Sequence, residues 1–253
     1  MTDTQQSSSS TIIEQMLEHR SIRQFKTTPI DAQTLALLIK AGQSAASSSF
    51  MQAYSVIQVT EAATRKQIAE AAGGQTWVEE APEFLVYCAD LKRVEYACLL
   101  HDAGKLEGYT EHFISATVDV ALMAENVLLA AESIGLGGVF IGGIRNDPQR
   151  VSELLKLPDQ VYPVFGMCLG WPAVEPEVKP RFPVDVILHK DHYEADKVAD
   201  AVNNYDQEFR AYYASRSTNN RVSDWSTQTA QTVQTKVREH MLSFLQSKGF
   251  LKK

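Results

Sequence analysis

Apolar and polar residues alternate along the chain in patterns that predict both helices and strands. Helices are predicted from Thr11, which has capping-box spacing to Glu14, from the N-cap residue Asp31, and from Asp147-Pro148. Short β-rich runs predict strands at Val56–Val59, Phe84–Tyr87, Val139–Ile141 and Val164–Leu169, and an edge strand at Val186–His189. Strands mixed with long helices indicate an α+β or α/β chain.

The longest apolar run, from about Phe113 to Ile134, predicts a helix with apolar residues on most of its faces. Such a helix is expected to be buried in a large core. It is not expected to span a membrane, because ionised side chains are costly in hydrocarbon. The polar residues that interrupt the run are Asp119, Glu125, Asn126 and Glu132.

The composition fits a globular chain and excludes several classes of function. Of the 253 residues, 44% are hydrophobic and 22% are charged, and 24 Lys and Arg against 31 Asp and Glu give a formal charge of −7. This apolar content supports a sizeable core, and the acidic balance argues against a general binder of nucleic acid or anionic membranes. Three scattered cysteines suit a reducing compartment, and the first residues lack a signal-peptide pattern, so a soluble cytoplasmic protein is expected.

Several common catalytic motifs are absent from the sequence. It contains no G-x-G-x-x-G, no P-loop, no H-E-x-x-H and no G-x-S-x-G. A metal-dependent hydrolase is disfavoured, because the candidate ligands include no second close pair to complete a four-ligand set. No metal ion is therefore expected. Those candidate ligands are Cys98, His101, Asp102 and His112.

Four short segments carry the groups that a flat, anionic ligand needs. His19–Arg23 contributes guanidinium groups and a hydroxyl, and Ser47–Gln52 offers hydroxyls and an amide. Phe140–Gly143 ends a strand with residues that lack a Cβ, so a ligand could approach the backbone closely. Lys179–Arg181 adds a rigid cationic pair. Each segment alone is explained by a helix end, a turn or a solvated charge, but together they suit flavin mononucleotide, with its phosphate and planar ring.

These motifs resemble the nitroreductase superfamily, in the branch of the oxygen-insensitive NADPH nitroreductases and NADPH–flavin oxidoreductases. They occur in family order over nearly the whole chain: HRSIRQF (His19–Phe25), SSSFMQ (Ser47–Gln52), GGQ (Gly73–Gln75), AAESIGLGGVFIGGIRN (Ala130–Asn146), FGMCLGWP (Phe165–Pro172), KPRFP (Lys179–Pro183) and YYASRSTNNR (Tyr212–Arg221). The resemblance implies an α+β fold, with a central, mainly antiparallel sheet flanked by helices, in an intertwined homodimer.

The domain organisation follows from composition and resemblance together. The Gln- and Ser-rich residues 1–10 are predicted to form a disordered tail, because they offer few apolar groups to offset chain ordering. The resemblance implies a single domain over residues 11–253. Its helical C-terminal extension, from about residue 197 to residue 253, is expected to wrap the partner subunit.

The resemblance also implies one non-covalent FMN in each of two pockets at the dimer interface, reduced by NADPH in a ping-pong reaction. The residues that it places at FMN, some of them from the other subunit, are His19, Arg20, Ser21, Arg23, Ser47, Gln52, Gln75, Phe140, Ile141, Gly142, Gly143, Lys179 and Arg181. The arginines that it places at NADPH, where they would receive the 2′-phosphate, are Arg216, Arg221 and Arg238.

Physical reasoning divides the predicted FMN residues by role. No side chain is expected to act as a nucleophile, since the hydride moves directly between nicotinamide and flavin. Reduced flavin carries negative charge near N1 and C2=O, so a fixed cation there, Arg23 or Lys179, is expected to favour hydride acceptance. Arg20 and Arg181 are expected to bind the phosphate as forks.

The predicted function is that of an FMN-dependent NADPH oxidoreductase that reduces nitroaromatics, quinones or free flavin. The alternative is a flavin-binding carrier or redox sensor without turnover, for which a pocket for NADPH would serve no purpose. The sequence leaves open the physiological acceptor, which could also be a metal oxyanion. It equally leaves open the strictness of the preference for NADPH over NADH, and whether reduced flavin is delivered to a partner enzyme.

Overall fold

One four-stranded antiparallel sheet forms the centre of the larger of two compact units. The computed structural model describes residues 11–216 and 223–253, divided into a sheet unit (residues 11–176 with Arg238–Lys253) and a helical unit (Glu177–Val237). Strand order is β1-β2-β4-β3, and all neighbours are antiparallel, which confirms the predicted fold class. The strands are β1 Tyr54–Gln58, β2 Glu83–Asp90, β3 Gly137–Ile141 and β4 Val161–Gly170.

Helices precede, separate and follow these strands. Those of the sheet unit are α1 Thr11–Leu17, α2 Ala32–Gln43, α3 Ala62–Ala71, α4 Trp77–Glu80, α5 Lys92–Leu100, α6 Thr110–Ser133, α7 Pro148–Leu154 and α11 Met241–Ser247; those of the helical unit are α8 Val184–Ile187, α9 Val198–Ser215 and α10 Trp225–Thr235. Both predicted aspartate caps are confirmed. Asp31 accepts from the amide of Thr34 over 2.9 Å, and Asp147 from that of Arg150 over 3.1 Å.

Helices cover both faces of the sheet, so its central strands are apolar on both sides. Along β2, Leu85 and Tyr87 face one core with α2 and α6. Phe84 and Val86 point to the opposite face and join a second core with α3 and α7. This division follows from the two-residue period of a strand.

Helix α6 is the core helix of the sheet unit, but only one of its faces is buried. Val120 and Met123 are buried, whereas Ile114, Val118 and Leu122 keep 45–49% of their surface exposed. The expectation of a helix buried all round is therefore wrong for the single chain, and we name the three exposed residues the apolar stripe. Among the described residues, α6 is also the helix long and apolar enough, by length and composition, to cross a bilayer. Its packing on the sheet is that of a core helix.

The predicted edge strand at Val186–His189 is wrong, because this segment contributes to the short helix α8 and the turn that follows. The amide of Val186 donates to the carbonyl of Pro183 over 3.1 Å, and that of Leu188 to Val184 over 2.8 Å. In the part of the helical unit that the structure describes there is no strand for this segment to pair with. Its branched residues lie on an exposed surface instead, with Val184 73% exposed.

An aromatic cluster holds the helical unit together. Tyr205, Phe209 and Tyr213 of α9 are buried and pack with Phe182 and Trp225. The rings of Phe182 and Tyr205 lie 3.9 Å apart between centroids. The single domain over residues 11–253 and the C-terminal extension that wraps a partner stay predictions. The predicted tail, residues 1–10, lies outside the described residues.

Candidate active site

The segment that carries the HRSIR motif lies along the start of β3. The amide of Ile22 donates to the carbonyl of Gly138 over 2.9 Å, and Lys26 donates in the same way to Trp171 over 2.8 Å. A Cβ on Gly137 would lie 2.4 Å from Cγ1 of Ile22, so only glycine allows this approach. The approach places the side chains of residues 19–23 at one edge of the sheet.

The basic side chains of this segment lie near carboxylates and an aromatic ring. His19 Nδ1 lies 2.7 Å from Glu132 Oε1. Arg20 reaches two carboxylates more loosely, Glu18 at 3.6 Å and Glu175 at 3.4 Å, and 30% of its side chain is exposed. Ion pairs this loose at the surface are weak, so the guanidinium of Arg20 is available to a stronger anion such as a phosphate.

Arg23 and the GGQ motif meet around Trp77. The guanidinium carbon of Arg23 lies 5.9 Å from the Trp77 ring centroid, within cation–π range. Two residues before Trp77, Gln75 donates through Nε2 to the carbonyl of Ala72 over 2.8 Å. A Cβ on Gly143 would lie 2.2 Å from that Nε2, so the GGQ and FIGG motifs are in direct contact. The two motifs form one surface at the end of β3.

The remaining FIGG residues divide between core and surface. Phe140 is half-buried and packs edge-on against Phe165, with 5.0 Å between ring centroids. Ile141 is fully buried, so neither its side chain nor its backbone is exposed to a ligand, whereas the two glycines that follow it are partly exposed. Gly142 and Gly143 begin a 3-10 turn, Gly142–Asn146, which directly follows the strand. The predicted approach of a flat ligand along backbone is compatible with this turn.

The chain returns to this turn at Arg238, one of the arginines predicted to bind NADPH. Its Nε donates to Asn146 Oδ1 over 3.0 Å, and its second guanidinium nitrogen to the carbonyl of Gly142 over 3.3 Å. His240 Nε2 lies 3.0 Å from the carbonyl of Arg145. Burial, and after it the charge of Arg238, lowers the pKa of Arg145. Arg238 therefore borders the candidate flavin surface and supports its backbone.

The SSSFMQ motif lies at the other edge of the sheet, immediately before β1. The amide of Gln52 donates to the hydroxyl of Ser47 over 3.3 Å, which closes the loop. Ser49, Phe50 and Gln52 have φ angles of 47°, 57° and 52°. Left-handed backbone costs a residue other than glycine about 1–2 kcal/mol. Phe50, at the tip, is 79% exposed.

The predicted flavin residues of the sheet unit thus form two separate groups. The β3 group holds residues of the HRSIR, GGQ and FIGG motifs, and the β1 group holds Ser47 and Gln52. Strands β2 and β4 lie between them. Three strand spacings of about 4.8 Å put the two edges about 14 Å apart. One chain therefore does not gather the whole predicted set.

The predicted cations Lys179 and Arg181 belong to the helical unit. They border a cavity of about 470 Å³ whose wall includes the aromatic residues Phe182, Tyr205 and Trp225. Arg181 donates to the carbonyl of Lys179 over 3.3 Å, and the hydroxyl of Tyr205 donates to the carbonyl of Pro180 over 2.8 Å. These bonds hold the KPR segment in one conformation beside an apolar wall.

Arg216, predicted to bind NADPH, lies against two aromatic rings of the helical unit. Its guanidinium lies 5.6 Å and 5.5 Å from the ring centroids of Tyr212 and Tyr213. Its Nε lies 3.5 Å from a carboxylate oxygen of Glu177, and 15% of its side chain is exposed. Arg221 lies outside the described residues.

Two carboxylates escaped the sequence reasoning. Glu132 pairs with His19, and Asp119, 1% exposed, accepts from the amides of Ser48 and Ala53. The sequence signal is that both are acidic residues within the apolar run of α6. That signal alone predicts only that the helix does not span a membrane. Across residues 11–216 and 223–253, no group of three or more His, Cys, Asp or Glu is placed to hold a metal ion.

The β3 edge combines guanidinium groups, a side-chain amide and a turn that begins with two glycines. This combination is typical of a protein that binds a flat, anionic cofactor. The chain belongs to the nitroreductase family. The model described as "Nitroreductase family" matches residues 16–171, and "Nitroreductase family, C-terminal domain" matches residues 179–253. The resemblance read from the motifs is confirmed.

Relatives with assigned activities match this chain over nearly its whole length. It is 44% identical to the NADPH-flavin oxidoreductase of Vibrio harveyi, over 95% of this chain and 98% of the relative. It is 43% identical to the oxygen-insensitive NADPH nitroreductase of Salmonella typhimurium, over 94% and 97%. The solved NADPH:FMN oxidoreductase from Vibrio harveyi, complexed with NAD+, has a TM-score of 0.87 at 41% identity, and the match covers 96% of this chain and 100% of that one. The predicted enzyme class, an oxidoreductase, is confirmed.

Proposed function

We propose that this chain is an FMN-dependent NADPH oxidoreductase that reduces nitroaromatics, quinones or free flavin, in the cytoplasm and as a homodimer. The names of the relatives support flavin, NADPH and nitro compounds as reactants. The observation that carries the proposal is the meeting of the HRSIR, GGQ and FIGG motifs at the β3 edge. There the amide of Ile22 is bonded to Gly138, and Gly143 contacts Gln75.

The residues at the β3 edge fit FMN by their donor chemistry. Arg20 carries a partly exposed guanidinium in loose ion pairs, which suits the phosphate. The turn that begins at Gly142 offers backbone without side chains, which suits a planar ring, and Gln75 borders the same surface. When bound, FMN supplies hydride acceptance from NADPH and electron donation to an acceptor.

The protein's own side chains bind and orient the reactants, and none is needed as a nucleophile. Burial raises the pKa of Cys88 and of Cys168 to about 12, so neither thiol forms a thiolate at neutral pH. Arg23 or Lys179 supplies the positive charge near N1 and C2=O of the flavin, and Arg181 joins Arg20 at the phosphate.

A second copy of the chain completes the site in this proposal. The β1 group of one protomer, Ser47 and Gln52, supplements the β3 group of its partner, which explains why one chain keeps them about 14 Å apart. The apolar stripe on α6 gives such a dimer a surface to bury, because Ile114, Val118 and Leu122 are each nearly half exposed. The extension from about residue 197 wraps the partner.

The preference for NADPH rests on the arginines near the end of the chain. Arg216, together with Arg221 and Arg238, receives the 2′-phosphate that NADH lacks. The tyrosine rings on which Arg216 lies fix its side chain, so less conformational entropy is lost on binding. An open ring face would accept nitro compounds, quinones and flavins by stacking, so all three classes are proposed acceptors.

Anaerobic titration of the purified holoenzyme with NADPH and, separately, with NADH tests this function. Bleaching of the flavin absorbance at a far lower concentration of NADPH than of NADH is the expected result. Acceptors are then ranked by how fast each restores the absorbance. If FMN is bound but neither nucleotide bleaches it, the alternative of a flavin carrier or redox sensor replaces the oxidoreductase.

A further inference from the structure

Asp119 is a buried carboxylate for which the proposed chemistry has no use. It lies on the inner face of α6, 1% exposed, between the apolar residues Ala116 and Val120. No ion pair of Asp119 occurs within residues 11–216 and 223–253. Burial of a carboxyl group without a cation is costly unless its oxygens take part in hydrogen bonds.

Both hydrogen bonds of Asp119 go to the ends of the same loop. Oδ1 accepts from the amide of Ser48 over 2.8 Å, and Oδ2 accepts from the amide of Ala53 over 3.2 Å. The loop between these amides contains Gln52, and Ser47 directly precedes it. One carboxylate thus fixes the beginning and the end of the segment that carries the β1 group.

The fixed segment is held in an unfavourable backbone conformation. Ser49, Phe50 and Gln52 all have positive φ, although none is a glycine. Within the segment, the amide of Gln52 bonds to the hydroxyl of Ser47, but at 3.3 Å this contact is long. Strain of this kind persists only where the surroundings over-determine the conformation. Backbone bonds also stabilise the segment, from the amide of Met51 to the carbonyl of Ser48 and from that of Tyr54 to Gln52, both over 2.9 Å. The two bonds to Asp119 link both ends of the segment to α6.

We propose that Asp119 is a positioning residue, which holds the Ser47–Gln52 loop in its left-handed conformation and thereby presents Ser47 and Gln52 to the flavin. This inference rests on the proposed function for its second half only. The restraint on the loop is a property of the chain, whereas the consequence for FMN requires that Ser47 and Gln52 bind it. An apparent dissociation constant rises in proportion as the binding-competent conformation becomes less populated.

Hydrogen exchange at the loop and FMN affinity together test the proposal in two variants. Asp119→Ala removes both acceptors, and the isosteric Asp119→Asn keeps one acceptor but turns an NH2 group toward the other amide. Val127→Ala is the matched control, because it removes buried apolar volume from the same helix about 12 Å away without touching the loop. Exchange of peptides covering residues 47–53 is measured with FMN removed and with FMN saturating. FMN affinity is measured by fluorescence titration.

In both Asp119 variants, exchange at the amides of Ser48 and Ala53 should rise on the order of tenfold without FMN, and the dissociation constant of FMN should rise by a similar factor. Val127→Ala should lower Tm but change neither the exchange of these amides nor the dissociation constant of FMN. Unchanged exchange in Asp119→Asn would overturn the proposal whatever the flavin does. Faster exchange with unchanged FMN affinity would overturn the claim that Asp119 presents Ser47 and Gln52 to the flavin. In that case a Ser47→Ala/Gln52→Ala double variant locates the error: unchanged affinity there means that the proposed flavin residues are wrong.

Discussion

The two edges of the sheet hold their candidate flavin residues by opposite means. At the β3 edge, missing side chains at Gly137 and Gly143 let Ile22 and Gln75 approach the backbone. At the β1 edge, the segment with three left-handed residues before the strand is linked to α6 by two hydrogen bonds to the carboxylate of Asp119. One edge is shaped by close packing, and the other by hydrogen bonds.

This difference predicts different weaknesses. Close packing tolerates the loss of a polar group but not the gain of a methyl group, because neighbouring backbone cannot move aside. A loop held by two bonds tolerates changes of volume at its exposed tip but not the loss of its anchor. The comparison also raises the question of whether two edges about 14 Å apart serve one flavin from one chain or from two protomers.

Val118→Asp should have the largest effect, because in the proposed dimer it separates the β1 group of one protomer from the β3 group of its partner. An unpaired carboxylate in the apolar stripe, where Val118 is 49% exposed, becomes buried in the interface at a cost of about 3–5 kcal/mol. Light scattering after size exclusion should show a monomer, and the ratio of flavin to protein absorbance should fall toward zero. Gln67→Asp, which adds the same charge on the exposed face of α3, should leave both unchanged. A Val118→Asp protein that remains dimeric would remove the stripe from the interface.

Gly143→Ala should be the next most severe change, and Gly142→Ala is its control for stability alone, because Gly142 is also a proposed flavin residue. A Cβ at Gly143 would lie 2.5 Å from the carbonyl oxygen of Ala72, whereas one at Gly142 would meet only the flexible end of Arg145 at 3.2 Å. We expect Gly143→Ala to lower the free energy of unfolding by about 1–3 kcal/mol and to weaken FMN binding. Denaturant melts and FMN titration measure the two effects. Equal losses of unfolding free energy in both variants would show that packing against the GGQ motif does not shape this edge.

Subunit mixing tests directly whether the edges act across the dimer. Arg20→Ala damages the β3 group, and Ser47→Ala/Gln52→Ala damages the β1 group, so each homodimer should bind FMN poorly. Co-expression produces heterodimers in which one site combines both intact edges. Random pairing should then restore roughly a quarter of the sites, measured as tightly bound flavin. No recovery on mixing would mean that both edges serve the same chain's flavin.

The sequence predicts the β3 edge better than the β1 edge, for physical reasons. Where a ligand or a neighbouring group lies close to the backbone, the sequence often has a glycine. The glycines at the start of the turn Gly142–Asn146 therefore made it predictable as part of a ligand site. The caps at Asp31 and Asp147 were predictable because a cap acts over three residues. The anchor of the β1 loop joins Asp119 to amides 71 and 66 residues away, and no local pattern encodes that meeting.

The errors have a related cause. Val186–His189 has the branched residues of a strand, but β propensity depends on a neighbour to pack against, and the described helical unit provides none. The apolar run of α6 was interpreted as burial on all sides of one chain. In the structure one face of α6 packs on the sheet, and the apolar stripe is exposed in the single chain. The order of residues does not distinguish these two faces.

Arg216→Ala and Arg238→Ala should have the smallest effects, and they distinguish nucleotide recognition from support of the β3 edge. Arg216 lies on two tyrosine rings with one loose carboxylate partner, so its main loss should be the 2′-phosphate. We expect kcat/KM for NADPH to fall about tenfold or more, as for one charged hydrogen bond of about 1.5–3 kcal/mol, with kcat/KM for NADH little affected.

Arg238 already donates to Gly142 and Asn146, so its removal should loosen the turn and lower kcat with both nucleotides, with a smaller change in the preference for NADPH. The contrary result is that Arg238→Ala loses as much NADPH preference as Arg216→Ala and keeps its kcat for NADH. Arg238 would then bind the nucleotide, and the turn would be supported by packing alone.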